Sequence, residues 1–145
     1  MNMLTFAVAI AIVTVSTVLL VTQINFLLEP AYNQFEEGRR SLENLDAEIR
    51  SLSAEPAGAK RLVQFSAGLG ALSSSDAADT MEYRFPGHFV GSNFTQNNLN
   101  FSYDGDSLIT VNYSGSVDII GNASGSGRMS VSLSRSASGI QVEII

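Results

Sequence analysis

The feature that most constrains the fold is the absence of charge at the N-terminus, where no Asp, Glu, Lys or Arg occurs between Met1 and Leu28. As an α-helix this segment would be about 42 Å long, which exceeds the roughly 30 Å hydrocarbon core of a bilayer. A secretory signal peptide is a poor match, because it would carry a basic N-terminal region and an apolar core of only about 7–15 residues. We therefore predict that residues 1–28 form an uncharged helix that lies in a membrane or packs among other helices.

Small and polar residues in this segment distinguish it from a simple lipid anchor. Ala7 and Ala11 have the spacing that lets two helices approach closely, and hydroxyl groups such as that of Thr14 can bond across helices or to their own turn. Two interpretations stay open: a single-pass anchor whose polar groups are satisfied locally, and a helix that packs among identical copies. In the second, the candidate assembly residues are Ala7, Ala11, Val15, Val18 and Leu19.

Beyond this segment the chain changes to an amphipathic helical pattern. Apolar residues recur at about seven-residue intervals with charged residues between them, and the apolar positions on this face are Leu28, Tyr32, Phe35, Leu42, Leu45, Ile49 and Leu52. Pro30 removes one backbone hydrogen bond, so we expect a kink there. A run containing Pro and Gly at residues 54–58 ends the pattern. We predict one long helix over residues 1–53, uncharged over 1–28 and amphipathic over 29–53.

Residues 60–145 carry the alternation of half-buried antiparallel strands. Polar and apolar residues alternate in seven short runs: 62–67, 80–85, 98–103, 108–113, 117–120, 128–134 and 140–145. Hairpin turns are expected at 103–106 and 125–127. The expected fold class is α+β, with a long N-terminal hydrophobic-then-amphipathic helix packed on a C-terminal antiparallel β-sandwich-like domain, residues 60–145.

Residues suited to catalysis or ligand binding are few. The chain has no Cys and one His, which excludes disulfides, thiolate chemistry and multi-His metal sites, and its net charge of −6 argues against a nucleic-acid surface. His88 lies in a turn-like context, and Asp104 and Asp106 lack the further ligands of a calcium loop. Glu36 lies beside arginines on a helix face, and the glycine-rich residues 121–127 lack the Lys of a phosphate-binding loop. We therefore predict no enzymatic activity, no catalytic, cofactor or metal site, and no nucleic-acid partner.

Four Asn-x-Ser/Thr sequons lie within 32 residues of the β-rich part, at Asn93, Asn100, Asn112 and Asn122. One such triplet in a Ser- and Asn-rich stretch has little meaning, but four close together favour an exported, glycosylated surface. The alternative is that they are unmodified polar residues on the outward faces of strands. Use of the sequons would require export, which agrees with the uncharged N-terminal segment.

The order of these parts resembles the archaeal type IV pilin superfamily, which includes adhesive pilus subunits and archaellum filament proteins. The resemblance covers the whole chain and is one of architecture: an uncharged N-terminal helix, an amphipathic continuation and a β-rich part that carries sequons. The exit from the helix through residues 54–70, with glycine-flanked turns, is also similar. If Met1 is the first residue of the mature chain, Thr5 stands where bacterial type IV pilins have Glu, which favours the archaeal branch. The resemblance implies that a short charged leader is cleaved and that the hydrophobic helices then bundle into a filament core.

We therefore expect a structural subunit of an extracellular filament resembling a type IV pilus, which polymerises through its N-terminal helix and serves surface adhesion. Its partners would be identical subunits in a helical homopolymer, the membrane before assembly, and the cell envelope or other surfaces. The alternative is a membrane-anchored archaellum accessory protein whose β-sandwich binds the cell envelope. The expected location is the cell surface, after insertion in the membrane.

Overall fold

The computed structural model describes residues 3–145, with side chains described outside 4–6 and 24–29. The chain divides into two compact units, Met1–Asn33 and Gln34–Ile145. All the strands belong to the second unit, together with the helical residues from Gln34 onward.

One helical element, α1 (Met3–Ser53), precedes eight strands in the described chain. The strands are β1 (Lys60–Ser75), β2 (Thr80–Phe85), β3 (Phe94–Gln96), β4 (Leu99–Asp104), β5 (Asp106–Asn112), β6 (Ile119–Ile120), β7 (Ser124–Arg135) and β8 (Ile140–Ile144).

The core of the second unit lies between the helical residues 34–53 and the sheet. Five apolar residues of the predicted helix face are buried there: Phe35, Leu42, Leu45, Ile49 and Leu52. The Phe35 ring packs on Tyr83 and Phe89, with ring centroids 6.4 and 5.4 Å apart. Tyr32, predicted on the same face, is instead 52% exposed, and the side chain of Leu28 lies outside the described residues.

The strands form one sheet in the order β3-β4-β5-β2-β1-β7-β8-β6. Most neighbours are antiparallel, but β6 and β8 are parallel, so the sheet is mixed. The predicted antiparallel sandwich is therefore wrong. The reason lies in β1, which pairs with β7 on one edge and with β2 on the other, so it joins the strands into one continuous sheet.

The predicted fold class is also wrong about the helix. The predicted long apolar helix is not found: apart from Met3, the described side chains of α1 fall in two stretches, 7–23 and 30–53, and the second is amphipathic. Pro30 lies inside α1, where it cannot donate a backbone hydrogen bond to the preceding turn. Part of the predicted uncharged segment 1–28 lies outside the described residues: residues 1–2, and the side chains of 4–6 and 24–28.

The seven predicted strands all occur, β2 with the predicted bounds and the other six with altered ones, and the described chain adds the short β3. The turn at 103–106 lies between β4 and β5, where Gly105 has a φ of +76°. The turn predicted at 125–127 is wrong, since these residues lie within β7 and Ser126 pairs with Ala71 of β1. Serine and glycine there indicated a turn, whereas the pairing partner that holds them in a strand is distant in sequence.

Candidate functional site

The helical stretch 7–23 exposes apolar side chains in every direction. Nine of its large hydrophobic side chains are between 52 and 65% exposed: Val8, Ile10, Ile12, Val13, Val15, Val18, Leu19, Leu20 and Val21. A helix on the surface of a globular protein normally has one apolar stripe, whereas at about 100° per residue these positions surround the axis. This surface is typical of a helix that is buried on all sides by other apolar groups.

The threonines of this stretch satisfy their own hydrogen-bonding groups. The Oγ1 atoms of Thr14 and Thr17 donate to the carbonyl oxygens of Ile10 and Val13, each at 2.8 Å. Thr22 Oγ1 lies 2.9 Å from the carbonyl oxygen of Val18. Because an unpaired hydroxyl is costly to bury, these bonds lower the cost of placing the stretch in apolar surroundings.

A shallow, open groove on this helix has the residue spacing at which another helix packs. It has a volume of about 330 Å³ and is lined by Val8, Ala11, Ile12, Val15 and Ser16. The first four are residues i, i+3, i+4 and i+7, the set that surrounds an inserted side chain in knobs-into-holes packing. The small side chain of Ala11 leaves this space open.

The predicted assembly residues are all exposed on the same stretch. Ala11 and Val15 line the groove, whereas Ala7, Val18 and Leu19 lie outside it. Sequence reasoning did not single out Val8 and Ile12. The i, i+3, i+4, i+7 spacing around a small residue is the signal that finds them.

Within the described chain, no helix is apolar over a sufficient length to cross a membrane.

The four sequon asparagines are all exposed, but their surroundings differ. Asn93 precedes β3, Asn100 lies within β4, Asn112 ends β5, and Asn122 lies between β6 and β7. Their use as glycosylation sites stays a prediction.

Of the residues weighed as candidates for chemistry, His88, Asp104 and Asp106 lie near the β4–β5 turn, whereas Glu36 lies on α1. The exposed His88 ring stacks on Tyr103 with centroids 4.0 Å apart, and Asp104 and Asp106 flank the β4–β5 turn. Glu36 bonds to Arg39, and this hydrogen bond raises the pKa of the Arg39 guanidinium. Among the described residues, no three His, Asp or Glu side chains come together as a set of metal ligands.

A polar cleft of about 330 Å³ in the second unit was not predicted from the sequence. Ser53, the loop 115–118 and the segment 135–139 converge there, and Asp118 and Arg135 are its charged lining residues. Three segments distant in sequence form it, so no local pattern indicates it. Its lining residues do not form a recognisable catalytic set.

The chain matches no protein-family model, no curated protein and no solved structure.

Proposed function

We propose that this protein is a structural subunit of an extracellular filament, in which copies contact one another through the 7–23 surface. The observation that carries the proposal is the all-round exposure of nine large apolar side chains on this stretch. A helix that is apolar on all sides needs cover on all sides. Several neighbouring copies in a helical polymer supply that cover.

The magnitude of the hydrophobic effect favours many neighbours over one. Completing the burial of nine half-exposed side chains contributes roughly 7–14 kcal/mol, at about 1.5–3 kcal/mol for each full burial. A dimer in which each partner covers a third of the other's surface gains about 4–10 kcal/mol in total, against an association cost of about 4–15 kcal/mol. A surrounded subunit gains about 7–14 kcal/mol against the same cost, so burial favours many neighbours over one.

The groove at Ala11 favours helices over lipid as the final cover. Fluid lipid chains cover an apolar helix of any shape, whereas helix packing requires small residues and complementary holes. In this proposal the membrane holds the subunit before assembly, and neighbouring helices replace lipid in the filament.

The resemblance to the archaeal type IV pilin superfamily also supports the proposal. It rests on the uncharged start, the amphipathic continuation, and the β-rich part with sequons. Surface adhesion is the role that the resemblance implies, with the cell envelope or another surface as the target.

The test is negative-stain imaging of material sheared from cells that produce the chain, with Val15→Asp as the variant and Val15→Leu as the matched control. On membrane-insertion scales a mid-helix Asp costs about 2.5–3.5 kcal/mol, which an apolar segment absorbs. In a filament the same unpaired carboxylate recurs in every subunit. We expect filaments from the wild type and Val15→Leu, and a folded, membrane-inserted Val15→Asp protein without filaments.

Two results would reject the proposal. One is normal filaments from Val15→Asp. The other is a wild-type protein that stays monomeric in the membrane under conditions of assembly, which would favour the membrane-anchored accessory protein.

A further inference from the structure

The four sequons differ in how the fold holds their three residues. An enzyme that attaches a glycan to Asn must bind the Asn side chain and the hydroxyl two residues later, so it needs the tripeptide free of the sheet. Burial of the middle residue, hydrogen bonds to its backbone and hydrogen bonds to the Asn side chain each hinder this. The number of these restraints ranks the sites.

Asn100 and Asn112 are anchored by buried aromatic residues. Asn100 lies within β4, which has β3 on one side and β5 on the other, and the middle residue Phe101 is buried. The middle residue after Asn112 is the fully buried Tyr113, and Asn112 Oδ1 accepts a hydrogen bond of 2.8 Å from the Ser114 backbone N–H. Freeing either tripeptide requires removal of an aromatic side chain from the core.

Asn122 is held by the backbone of the neighbouring segment. Its Oδ1 accepts a hydrogen bond of 3.0 Å from the Asp76 backbone N–H. The middle residue Ala123 donates its N–H to Ser74 Oγ and accepts a bond from the Ser74 N–H, at 2.9 and 2.8 Å. The exposed position of Asn122 therefore does not make its tripeptide free.

Asn93 carries the weakest restraint of the four. Phe94 and Thr95 pair with Phe101 and Asn100 of β4, but in the described chain β3 has no strand on its other side. Asn93 lies before β3, a three-residue strand at the outer edge of the sheet whose residues are all exposed. The middle residue Phe94 is 46% exposed, although its ring stacks on Phe101 at 4.3 Å between centroids. The one side-chain hydrogen bond that the described structure gives this tripeptide is from Thr95 Oγ1 to Asn100 Oδ1, at 2.8 Å.

We infer that Asn93 is the asparagine that the folded protein presents for N-linked glycosylation, and that Asn100, Asn112 and Asn122 accept a glycan only before the sheet has formed. In the transfer, Asn93 Nδ2 attacks the anomeric carbon of an oligosaccharide carried on a polyprenyl phosphate or diphosphate. The new bond joins nitrogen to carbon, the bond from that carbon to the phosphate oxygen breaks, and the phosphate leaves with the electron pair. The nitrogen loses one proton to a base of the transferase.

This inference rests on the export that the proposed function requires. It adds an order of events. Asn100, Asn112 and Asn122 can be glycosylated only before folding, whereas Asn93 can be glycosylated afterwards, until a neighbouring copy or surface covers it.

The test compares the rate of modification at each site in two substrates. Full-length unglycosylated protein, folded in mild detergent, is incubated with an asparagine-linked oligosaccharyltransferase and its lipid-linked oligosaccharide, and four short peptides covering the sequons are treated in parallel. Mass spectrometry gives the occupancy of each site over time. We expect Asn93 in the folded protein to react within about tenfold of its peptide, and the other three to be at least about 100-fold slower than theirs, because they need local unfolding.

Variants distinguish the effect of the fold on each site from the transferase's own preference among the four tripeptides. Thr95→Ala abolishes modification at Asn93, whereas Thr95→Ser retains it. Ile109→Ala removes a buried side chain opposite Phe101 and loosens the sheet. It is expected to raise the rates at Asn100 and Asn112 severalfold while Asn93 changes little.

The inference is overturned if the folded protein reacts at all four sites at the rates of the peptides, if Asn93 is slower than any other site, or if Asn93 is unreactive in both substrates. The filament images are obtained independently of glycan transfer. Filaments without selective reaction at Asn93 would reject this inference alone, and selective reaction without filaments would reject the filament proposal alone.

Discussion

At the scale of single residues, the close approach of Gly38 to Tyr83 shows what patterns can and cannot predict. The sequence predicted the buried helix positions around it, because Phe35 and Leu42 repeat at helical spacing. It gave no sign that Gly38 is where the Tyr83 ring crosses the helix, since that contact joins residues distant in sequence. A methyl group on Gly38 would overlap the ring of Tyr83.

Gly38→Ala is therefore expected to destabilise the protein, although alanine is the better helix former by about 1 kcal/mol. Tyr83 is fully buried and donates a hydrogen bond of 3.0 Å to the Ala67 carbonyl oxygen, so its ring cannot move cheaply. We expect a net loss of about 2 kcal/mol, because this close a contact takes the upper end of the usual overpacking cost of about 1–3 kcal/mol and the propensity gain offsets about 1 kcal/mol.

Thermal unfolding of the whole chain in mild detergent, followed by circular dichroism, measures this loss. Each kcal/mol of lost stability is expected to lower the melting temperature by roughly 3–6 °C. Gly91→Ala is the control, because a methyl group there meets open space. An unchanged or higher melting temperature for Gly38→Ala would show that the Tyr83 ring does not lie over the helix.

The two most deeply buried tyrosines predict opposite responses to loss of their hydroxyl groups. Tyr83 bonds to Ala67, whereas the Tyr113 hydroxyl is buried with no hydrogen-bond partner in the described structure. Tyr83→Phe is expected to cost about 1 kcal/mol, and Tyr113→Phe to be neutral or stabilising. A clear loss of stability in Tyr113→Phe would indicate that its hydroxyl bonds to the nearby Asp46.

The same tyrosines predict how stability depends on alkaline pH. Burial raises the pKa of Tyr113, and the Asp46 carboxylate raises it further; burial also raises the pKa of Tyr83. In the unfolded chain both ionise near pH 10, so above that pH the unfolded state releases protons that the folded state keeps. Stability is therefore expected to fall as the pH rises above about 10. The fall should be smaller in Tyr113→Phe than in the wild type, and equal falls would contradict this prediction.

At the scale of elements, the strands were predictable but their assembly into one sheet was not. Alternation between polar and apolar residues gives the position of a strand, whereas it does not give its neighbours. The first alternating run was predicted to end at Ala67. The structure instead has a register shift between Ser66 and Ala71, and β1 continues to Ser75. Gln34 Oε1 accepts a hydrogen bond of 3.1 Å from the Leu69 N–H at this irregularity, a contact that no local pattern shows.

The groove on the 7–23 stretch gives a prediction for the helical element. Ala11→Leu would fill the space among Val8, Ile12 and Val15, and so exclude a side chain of a neighbouring copy. We expect fewer and shorter filaments in sheared material, with unchanged amounts of protein in the membrane. Ala7→Leu should also weaken assembly, because a larger side chain one turn before Ala11 keeps a neighbouring helix from approaching closely, although Ala7 lies outside the groove.

Ala47→Leu is the matched control, since it makes the same change at an exposed helical position in the second unit. If Ala11→Leu assembles as well as Ala47→Leu, the groove has no part in contacts between copies.

At the scale of the whole molecule, the second unit contains the requirements for independent folding. Its core combines the buried helix face with both halves of the sheet. The apolar tail is paired within the chain, because Val142 and Ile144 of β8 lie opposite Leu133 and Val131 of β7. The sequence left open whether this tail needs a neighbouring subunit.

We therefore expect a shortened chain that begins near Glu29 to be monomeric and folded, with helix and strand signals in circular dichroism and one cooperative melting transition. A chain that begins at Lys60 is the control. It loses the five buried helix residues and should be unfolded or aggregated. An unfolded chain from Glu29 would mean that the sheet depends on contacts between subunits, for example through donation of the Ile140–Ile145 strand.

The central claim is that copies of this protein cover one another's 7–23 stretches, and electron cryomicroscopy of filaments sheared from cells tests it most directly. We predict that residues 7–23 of neighbouring copies lie in contact in the filament core, that the nine exposed apolar side chains become buried, and that an apolar side chain of a neighbour occupies the groove at Ala11. A filament in which the 7–23 stretch lies on the outer surface, or is covered by lipid or another protein, would contradict the claim.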